Sequence, residues 1–114
     1  MYPRLTFDLN KVRQNLDVVS RAVKEAGCSL MIVTKSFCAD PMLAALIDSH
    51  PAVDYFADSR IQNLAKMKDL KKEKVLLRLP QACEVGEVVR YADISFNSEL
   101  STIRLLDQEA EKQG

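Results

Sequence analysis

Lys35 is the residue in this sequence best suited to covalent chemistry. It follows an apolar run, residues 30–33, and Thr34, and small or apolar residues follow it as far as Ala39. A lysine is seldom buried without a partner, so an amine that closes an apolar strand is either exposed or has a chemical task. Desolvation by apolar neighbours would favour the neutral amine, a nucleophile that attacks an aldehyde or ketone to form a Schiff base. An exposed or salt-bridged lysine is the alternative that these residues leave open.

Polar residues also follow the later apolar strands. Arg78 lies near the end of one of them, where it could neutralise an oxygen of a cofactor or substrate, or could pair with a neighbouring carboxylate. Asp58 with Ser59, and Asn97 with Ser98, follow two others, and we expect these four to cap helices.

The histidine and cysteines predict no metal site. His50 is the single histidine and precedes Pro51 at a predicted helix end, which favours a capping or surface role over catalysis. The cysteines are odd in number and widely spaced, so we expect reduced thiols, with Cys38 as a small core residue; they are Cys28, Cys38 and Cys83.

Composition predicts one small domain. The chain has 114 residues, 47% of them hydrophobic, and its 16 basic and 16 acidic residues cancel, so it has no long-range attraction for nucleic acid or anionic membranes. No apolar run approaches the roughly 20 residues that span a bilayer, and the first residues lack the pattern of a signal peptide. We therefore expect a cytoplasmic protein.

The first part of the chain predicts a strand followed by a helix. Residues 4–9 alternate between polar and apolar types, and Asp8 or Asn10 can cap a helix that ends at Gly27. The apolar face of this helix is predicted to consist of Val12, Leu16, Val19 and Val23.

Four strand-then-helix units follow. The predicted strands are residues 29–34, 53–57, 74–80 and 93–98. The helix after the first begins with Asp40 and Pro41, and the helix after the second with a capping box of Ser59 and Gln62. The predicted apolar positions of the four helices include Met42, Leu43, Leu46, Ile47, Ile61, Leu64, Ala65, Val85, Val88, Val89, Leu100, Ile103 and Leu106.

This alternation predicts an α/β fold with a parallel sheet, because parallel neighbours need long crossovers. Four units correspond to the first half of a (β/α)8 TIM barrel of roughly 250 residues, or to a small open sheet that is complete in itself.

Four stretches in order resemble the pyridoxal-phosphate enzymes of fold type III, which have an alanine-racemase-like N-terminal barrel. They are "PRLTFDLNKVRQNL", "MIVTKSFCADP", "VDYFADSRIQNLAKM" and "VLLRLPQACEVGEVVRYADISFNSELSTIRLL". The pairing of "VTKSFC" with "FADSRIQN" is the most specific part, and it is most similar to the branch that includes ornithine racemase.

The resemblance implies that Lys35 carries pyridoxal 5'-phosphate as a Schiff base and acts as a catalytic base, with Arg78 as a second cofactor contact. It implies a racemase or epimerase for an amino acid, such as ornithine or another polar one, in a homodimer or higher homo-oligomer. Residues 1–114 would be a single, incomplete domain, the N-terminal part of the cofactor-binding barrel. The other phosphate contacts and the second base would lie beyond Gly114, so the isolated chain is expected to be inactive.

Two alternatives remain at this stage. After its lysine, alanine racemase has an Ala-Asn-Ala-Tyr-Gly-His-Gly run whose tyrosine helps to hold the phosphate, whereas this chain has the residues from Ser36 to Asp40, so that contact does not transfer. A non-catalytic pyridoxal-phosphate-binding homeostasis protein with the same barrel is one alternative. A purely structural α/β module, with Lys35 in a salt bridge, is the other.

Overall fold

A computed structural model describes residues 2–114, and an aspartate sets the start of its first helix. Helix α1 spans Leu9–Glu25, and the Asp8 carboxylate accepts hydrogen bonds from the backbone N–H groups of Asn10, at 3.0 Å, and Lys11, at 3.2 Å. Gly27 follows the helix with a φ of 69°, a conformation that costs glycine little. The predicted start and end of this helix are confirmed.

The other elements alternate between strand and helix. In chain order they are β1 (Met31–Val33), a 3-10 turn (Lys35–Phe37), α2 (Pro41–Ser49), β2 (Tyr55–Asp58), α3 (Ile61–Lys66), β3 (Glu73–Leu76), a second 3-10 turn (Ala82–Glu84), α4 (Val85–Tyr91), β4 (Ile94–Ser95) and α5 (Leu100–Gln113).

The four strands form one parallel sheet in the order β1-β2-β3-β4. Crossovers between parallel strands are almost always right-handed, so a strictly sequential order places the connecting helices on the same face of the sheet. An open doubly wound sheet would instead carry helices on both faces. The predicted α/β class is confirmed, and the architecture is that of a partial (β/α)8 barrel.

The hydrophobic core lies between this helical face and the sheet. Phe56 of β2 and Leu76 of β3 are fully buried, and they belong to one cluster with Ile61, Leu64 and Val88 from the helices. Burial of each large apolar side chain contributes about 1.5–3 kcal/mol. The core therefore fixes the helices against the sheet and sets the positions of the strand ends.

The opposite face of the sheet is covered only at its centre. Val33, Ala57, Val75 and Ile94 are register partners in one row across the four strands. Ala57 and Val75 are fully buried, whereas Val33 and Ile94, on the two edge strands, are each 38% exposed. The side chains at both ends of this row, which we call the open row, are therefore exposed to solvent.

Two aspartates fix the register at the amino ends of the strands. The Asp54 carboxylate accepts a hydrogen bond from the Leu30 N–H at 2.7 Å, and the Asp54 N–H donates back to the Leu30 carbonyl at 2.9 Å. Asp93 makes the same pair of bonds with Lys74, at 2.8 Å each. We call this pair of hydrogen bonds an aspartate clamp. One clamp joins β1 to β2, and the other joins β3 to β4.

The predicted strand at residues 4–9 is wrong. Residues 2–8 lie outside the helices and strands, with Leu5 73% and Phe7 42% exposed. A strand needs a neighbour for its backbone groups, and the described sheet, which contains only β1 to β4, offers none to this segment. Its alternating pattern is therefore not sufficient to form a strand here.

Several residues predicted to be buried are exposed. Val19 is 46%, Leu100 60% and Ile103 45% exposed, because α1 packs beside α2 and α5 beside α4 at the two ends of the helical layer. Met42 is 67% exposed and lines a concavity with the N-terminal residues Leu5 and Phe7. The apolar stripes of the central helices α3 and α4 are predicted better, because helices on both sides cover them.

The third and fourth strands are shorter than predicted. β3 ends at Leu76, level with the last residue of β2, and β4 consists of two residues paired with β3 alone. Beyond β3, the Leu77 N–H still donates to the Asp58 carbonyl at 2.9 Å, but β2 ends at Asp58 and no regular pairing continues.

We expect each clamp aspartate to contribute measurably to stability. Asp54→Ala and Asp93→Ala remove a charged acceptor from a partly buried N–H, so each should lower the free energy of unfolding by about 1–3 kcal/mol in a urea titration. Asp107→Ala, at an exposed position of α5, is the control and should change it by less than about 0.5 kcal/mol. Equal effects of all three substitutions would contradict this role.

Candidate functional site

Lys35 lies two residues beyond β1, at the start of the first 3-10 turn. Its side chain is exposed, and within residues 2–114 its amine makes no hydrogen bond or ion pair. The flanking apolar residues do not enclose the amine, so the expected desolvation is not found. The salt bridge considered for Lys35 is not formed with any described residue either, and the amine is available to a reactant.

The turn after Lys35 has an unusual backbone. Cys38, with a φ of 51°, and Ala39, with a φ of 52°, both lie in the left-handed region that disfavours side chains other than glycine. The Thr34 carbonyl accepts hydrogen bonds from the N–H groups of Phe37, at 3.3 Å, and Ala39, at 3.1 Å, and so holds the turn together. Such strain persists only where the surrounding structure over-determines it, and it is concentrated at functional sites.

A buried hydrogen-bond network lies directly beneath this turn. Thr34 and Asp58 are fully buried, and the Thr34 hydroxyl donates to the Asp58 carboxylate at 2.7 Å. The same carboxylate accepts from the Asn63 side-chain amide at 3.0 Å and from the Arg60 N–H at 2.8 Å. The network joins the ends of β1 and β2 to α3.

The predicted capping box of Ser59 and Gln62 is wrong. The N-cap residue of α3 is Arg60 rather than Ser59, and the Arg60 side chain makes no capping hydrogen bond. The side chain that accepts at this end of the helix is the Asp58 carboxylate, which takes the Arg60 N–H.

Arg78 is committed to a carboxylate. Both terminal nitrogens of its guanidinium donate to Glu84, one of them at 3.1 Å, and its Nε donates to the Ser59 carbonyl at 2.7 Å. The hydrogen bonds to Glu84 raise the pKa of Arg78 and outweigh the opposing effect of burial. The structure thus places Arg78 in the carboxylate pair considered from the sequence, and a cofactor contact by Arg78 stays a prediction.

Two other lysines near the sheet have structural partners. Lys74 is buried, and its ammonium donates to two backbone carbonyls of the turn before β3, at 2.8 Å each. Lys66 of α3 donates to the Cys38 carbonyl at 3.0 Å. Unlike the Lys35 amine, the amines of these two lysines are therefore held by hydrogen bonds to backbone carbonyls.

Asn97 and Ser98 do not cap the last helix. The N-cap residue of α5 is Glu99, without a side-chain hydrogen bond, and the Asn97 amide instead donates to the carbonyl and hydroxyl of Ser95, at 3.3 and 3.0 Å. The buried Asn97 side-chain oxygen has no hydrogen-bond partner within residues 2–114. The prediction of caps at this end of β4 is therefore wrong.

His50 has the capping role predicted for it. It is the C-cap residue of α2, its Nδ1 accepts from the Ala52 N–H at 3.2 Å, and its Nε2 lies 2.7 Å from the Asp17 carboxylate. The cysteines are free thiols and all three are exposed, so the prediction that Cys38 lies in the core is wrong.

Sequence reasoning missed Thr34 and Asn63 as members of the site. A signal was present, because Thr34 and Asp58 each end an apolar strand, and pairing of those strands in register brings two such polar residues together. Asn63, five residues after Asp58, gave no periodic signal of its own.

The large concavities do not coincide with Lys35. One of about 430 Å³ lies between α4 and α5, and another of about 420 Å³ lies beside the N-terminal residues; neither Lys35 nor Arg78 lines them.

The described helices include none with the length and apolarity needed to cross a bilayer. The site therefore consists of an exposed amine on a turn that hydrogen bonds hold in place, at the carboxyl ends of parallel strands.

Comparison with known proteins gives two curated relatives. The chain is 52% identical over 110 residues to an ornithine racemase of Acetoanaerobium sticklandii, a match that covers 96% of this chain and 31% of that protein. It is 29% identical over 110 residues to a lysine racemase of Thermotoga maritima, covering 95% and 31%. The chain thus spans about a third of the length of these relatives. No family model and no solved structure matches it.

Both matches run through the strands and the lysine turn on which the family resemblance was based, since each covers at least 95% of the chain. These matches support the resemblance of the chain to the alanine-racemase-like family, near the ornithine racemase branch.

Proposed function

We propose that residues 1–114 form the N-terminal part of the pyridoxal-phosphate-binding barrel of an amino-acid racemase, and that Lys35 holds the cofactor. The observation that carries this proposal is the free, exposed Lys35 amine at the carboxyl end of β1. In (β/α)8 barrels this end of the sheet carries the active site. The names of the two relatives, an ornithine racemase and a lysine racemase, support the reaction class.

The residues present fit the cofactor. The Lys35 Nζ has no carboxylate partner in the described chain, so it would be free to hold the cofactor covalently through the cofactor's aldehyde group. When bound, the cofactor supplies an electron sink for the charge that develops at the substrate Cα. Arg78 would contact it from a guanidinium whose two terminal nitrogens already donate to Glu84.

Lys35 also supplies one of the two proton transfers that racemisation needs. With cofactor and substrate bound, the Lys35 Nζ would be the group placed to remove or return the Cα proton on one face. The second acid or base must act from the opposite face, and none of the residues described here is assigned to that role.

The attachment site can be mapped in the full-length parent. Incubation with pyridoxal phosphate and reduction with borohydride should give a secondary amine that peptide mass spectrometry locates at Lys35. Lys35→Ala should lose this adduct and reduce racemase kcat by at least roughly 10²–10⁴-fold, because it removes the attachment point and one base. Lys24→Ala, which replaces an exposed lysine of α1, is the matched control and should retain both.

A main adduct on a lysine other than Lys35, or normal turnover by Lys35→Ala, would overturn the proposal. An adduct at Lys35 without any exchange of a Cα proton, across a panel of amino acids, would instead favour the non-catalytic homeostasis protein of the same barrel family.

We propose a basic amino acid, such as ornithine, as the substrate. The two relatives are named for ornithine and lysine, whose side chains both end in an amine. In deuterated water, the parent should exchange the Cα proton of ornithine or lysine faster than that of alanine, measured by proton NMR, and Lys35→Ala should exchange none of them. Equal or faster exchange with alanine would remove this part of the proposal.

For the 114-residue chain on its own, we propose self-association through the open sheet. The outer edges of β1 and β4 have no strand partner within residues 2–114, and Val33 and Ile94 are exposed beside them. Such edges are templates for pairing. A two-fold axis along the barrel axis would place β4 of each copy parallel to β1 of the other, so that both pairs of edges close together.

Light scattering should therefore give at least twice the chain mass of 12.8 kDa. Val33→Lys places a charge in the open row and should shift the chain towards monomer, whereas Val18→Lys, at a 63% exposed position of α1, should not. A monodisperse monomer that unfolds cooperatively would favour a self-contained α/β domain. We also propose a cytoplasmic location and no nucleic-acid partner, and the formal net charge of zero supports the second of these.

A further inference from the structure

We infer that Thr34 and Asp58 are positioning residues that hold the Lys35 turn in the conformation that presents the amine. This inference rests on the proposed role of Lys35. The Thr34 carbonyl accepts hydrogen bonds from the N–H groups of both Phe37 and Ala39, so a single oxygen holds the turn at two points. The orientation of the Thr34 peptide therefore decides where Lys35 lies.

Thr34 is itself fixed by β2. Its N–H donates to the Ala57 carbonyl at 2.9 Å, and its hydroxyl donates to the Asp58 carboxylate at 2.7 Å and lies 3.3 Å from the same Ala57 carbonyl. Thr34 has left the extended conformation, with a φ of −101° and a ψ of −2°. The hydroxyl thus holds the residue at the point where the chain turns out of the sheet.

Asp58 is fixed in turn by three elements. Its carboxylate accepts from the Asn63 side chain of α3, at 3.0 Å, and from the Arg60 N–H, at 2.8 Å, and its backbone carbonyl accepts from the Leu77 N–H beyond β3, at 2.9 Å. A buried carboxylate that loses one of its donors pays a desolvation cost, so the group retains this single arrangement.

Helix α3 reaches the turn at a second point. The Lys66 amine donates to the carbonyl of Cys38, the first of the two left-handed residues. The turn is therefore held near both ends, by the buried Thr34–Asp58 pair and by an exposed lysine, and the buried pair is the one that water cannot replace.

The test measures reactivity of the Lys35 amine in the full-length parent, which would also supply the other cofactor contacts. The parent is treated with pyridoxal phosphate and borohydride, and mass spectrometry gives the ratio of adduct at Lys35 to adduct at Lys24, an exposed lysine of α1 that serves as internal reference. Thr34→Val keeps the shape of the side chain but removes its hydroxyl. It should lower this ratio about tenfold, because a small displacement of a reacting group has a large kinetic cost.

Thr34→Ser, which restores a hydroxyl, should restore the ratio. Asp54→Ala, which weakens the opposite end of the sheet, controls for loss of stability and should leave the ratio unchanged. If Thr34→Val does not fold, Thr34→Ala replaces it with the same expected result. An unchanged ratio in the hydroxyl-free variant, or an equal fall in Asp54→Ala, overturns the inference.

Amide hydrogen exchange separates this inference from the proposed function. Removal of the Thr34 hydroxyl should accelerate exchange at Phe37, Cys38 and Ala39 about tenfold, with the α1 amides unchanged. A wild-type ratio no higher than unity would count against the cofactor role of Lys35, and the exchange data then decide the inference alone. Acceleration confined to this turn supports it, and uniform acceleration across the chain overturns it.

Discussion

A fully buried carboxylate at the end of β2 is the constraint on which the local structure depends. Asp58 cannot be left without donors in a protein interior, so three donors from the end of β1 and from α3 converge on it: the hydroxyl of Thr34, the side-chain amide of Asn63 and the N–H of Arg60. Because these contacts are satisfied together, the chain leaves β1 in one direction. That direction determines where the reactive amine lies.

Aspartate carboxylates stabilise both ends of the sheet, but they accept hydrogen bonds from different groups at each end. At the amino ends, Asp54 and Asp93 accept from backbone N–H groups of the preceding strand and fix register. At the carboxyl ends, Asp58 accepts from side chains and supports a turn with two left-handed residues that are not glycine. One end is therefore built for regular pairing, and the other tolerates strain beside Lys35.

The order of elements could be predicted from the sequence because it depends on periodicity and on local caps such as Asp8, Asp40 and Gly27. Contacts between elements were predicted poorly. The capping box at Ser59 is absent because α3 begins one residue later than predicted, with Arg60 as its N-cap, and residues 4–9 form no strand because no partner lies beside them. Lys35 could be singled out from its pattern, but its exposure and the role of Thr34 depend on pairing between strands.

The central claim is that the braced turn presents the Lys35 amine for covalent attachment of pyridoxal phosphate. The most direct measurement is the visible absorbance of the full-length parent titrated with this cofactor, compared with that of Lys35→Arg, which keeps the charge but has no amine able to form the C=N bond. The account predicts a saturable visible band in the wild type and none in the variant. The same band in both proteins would contradict it.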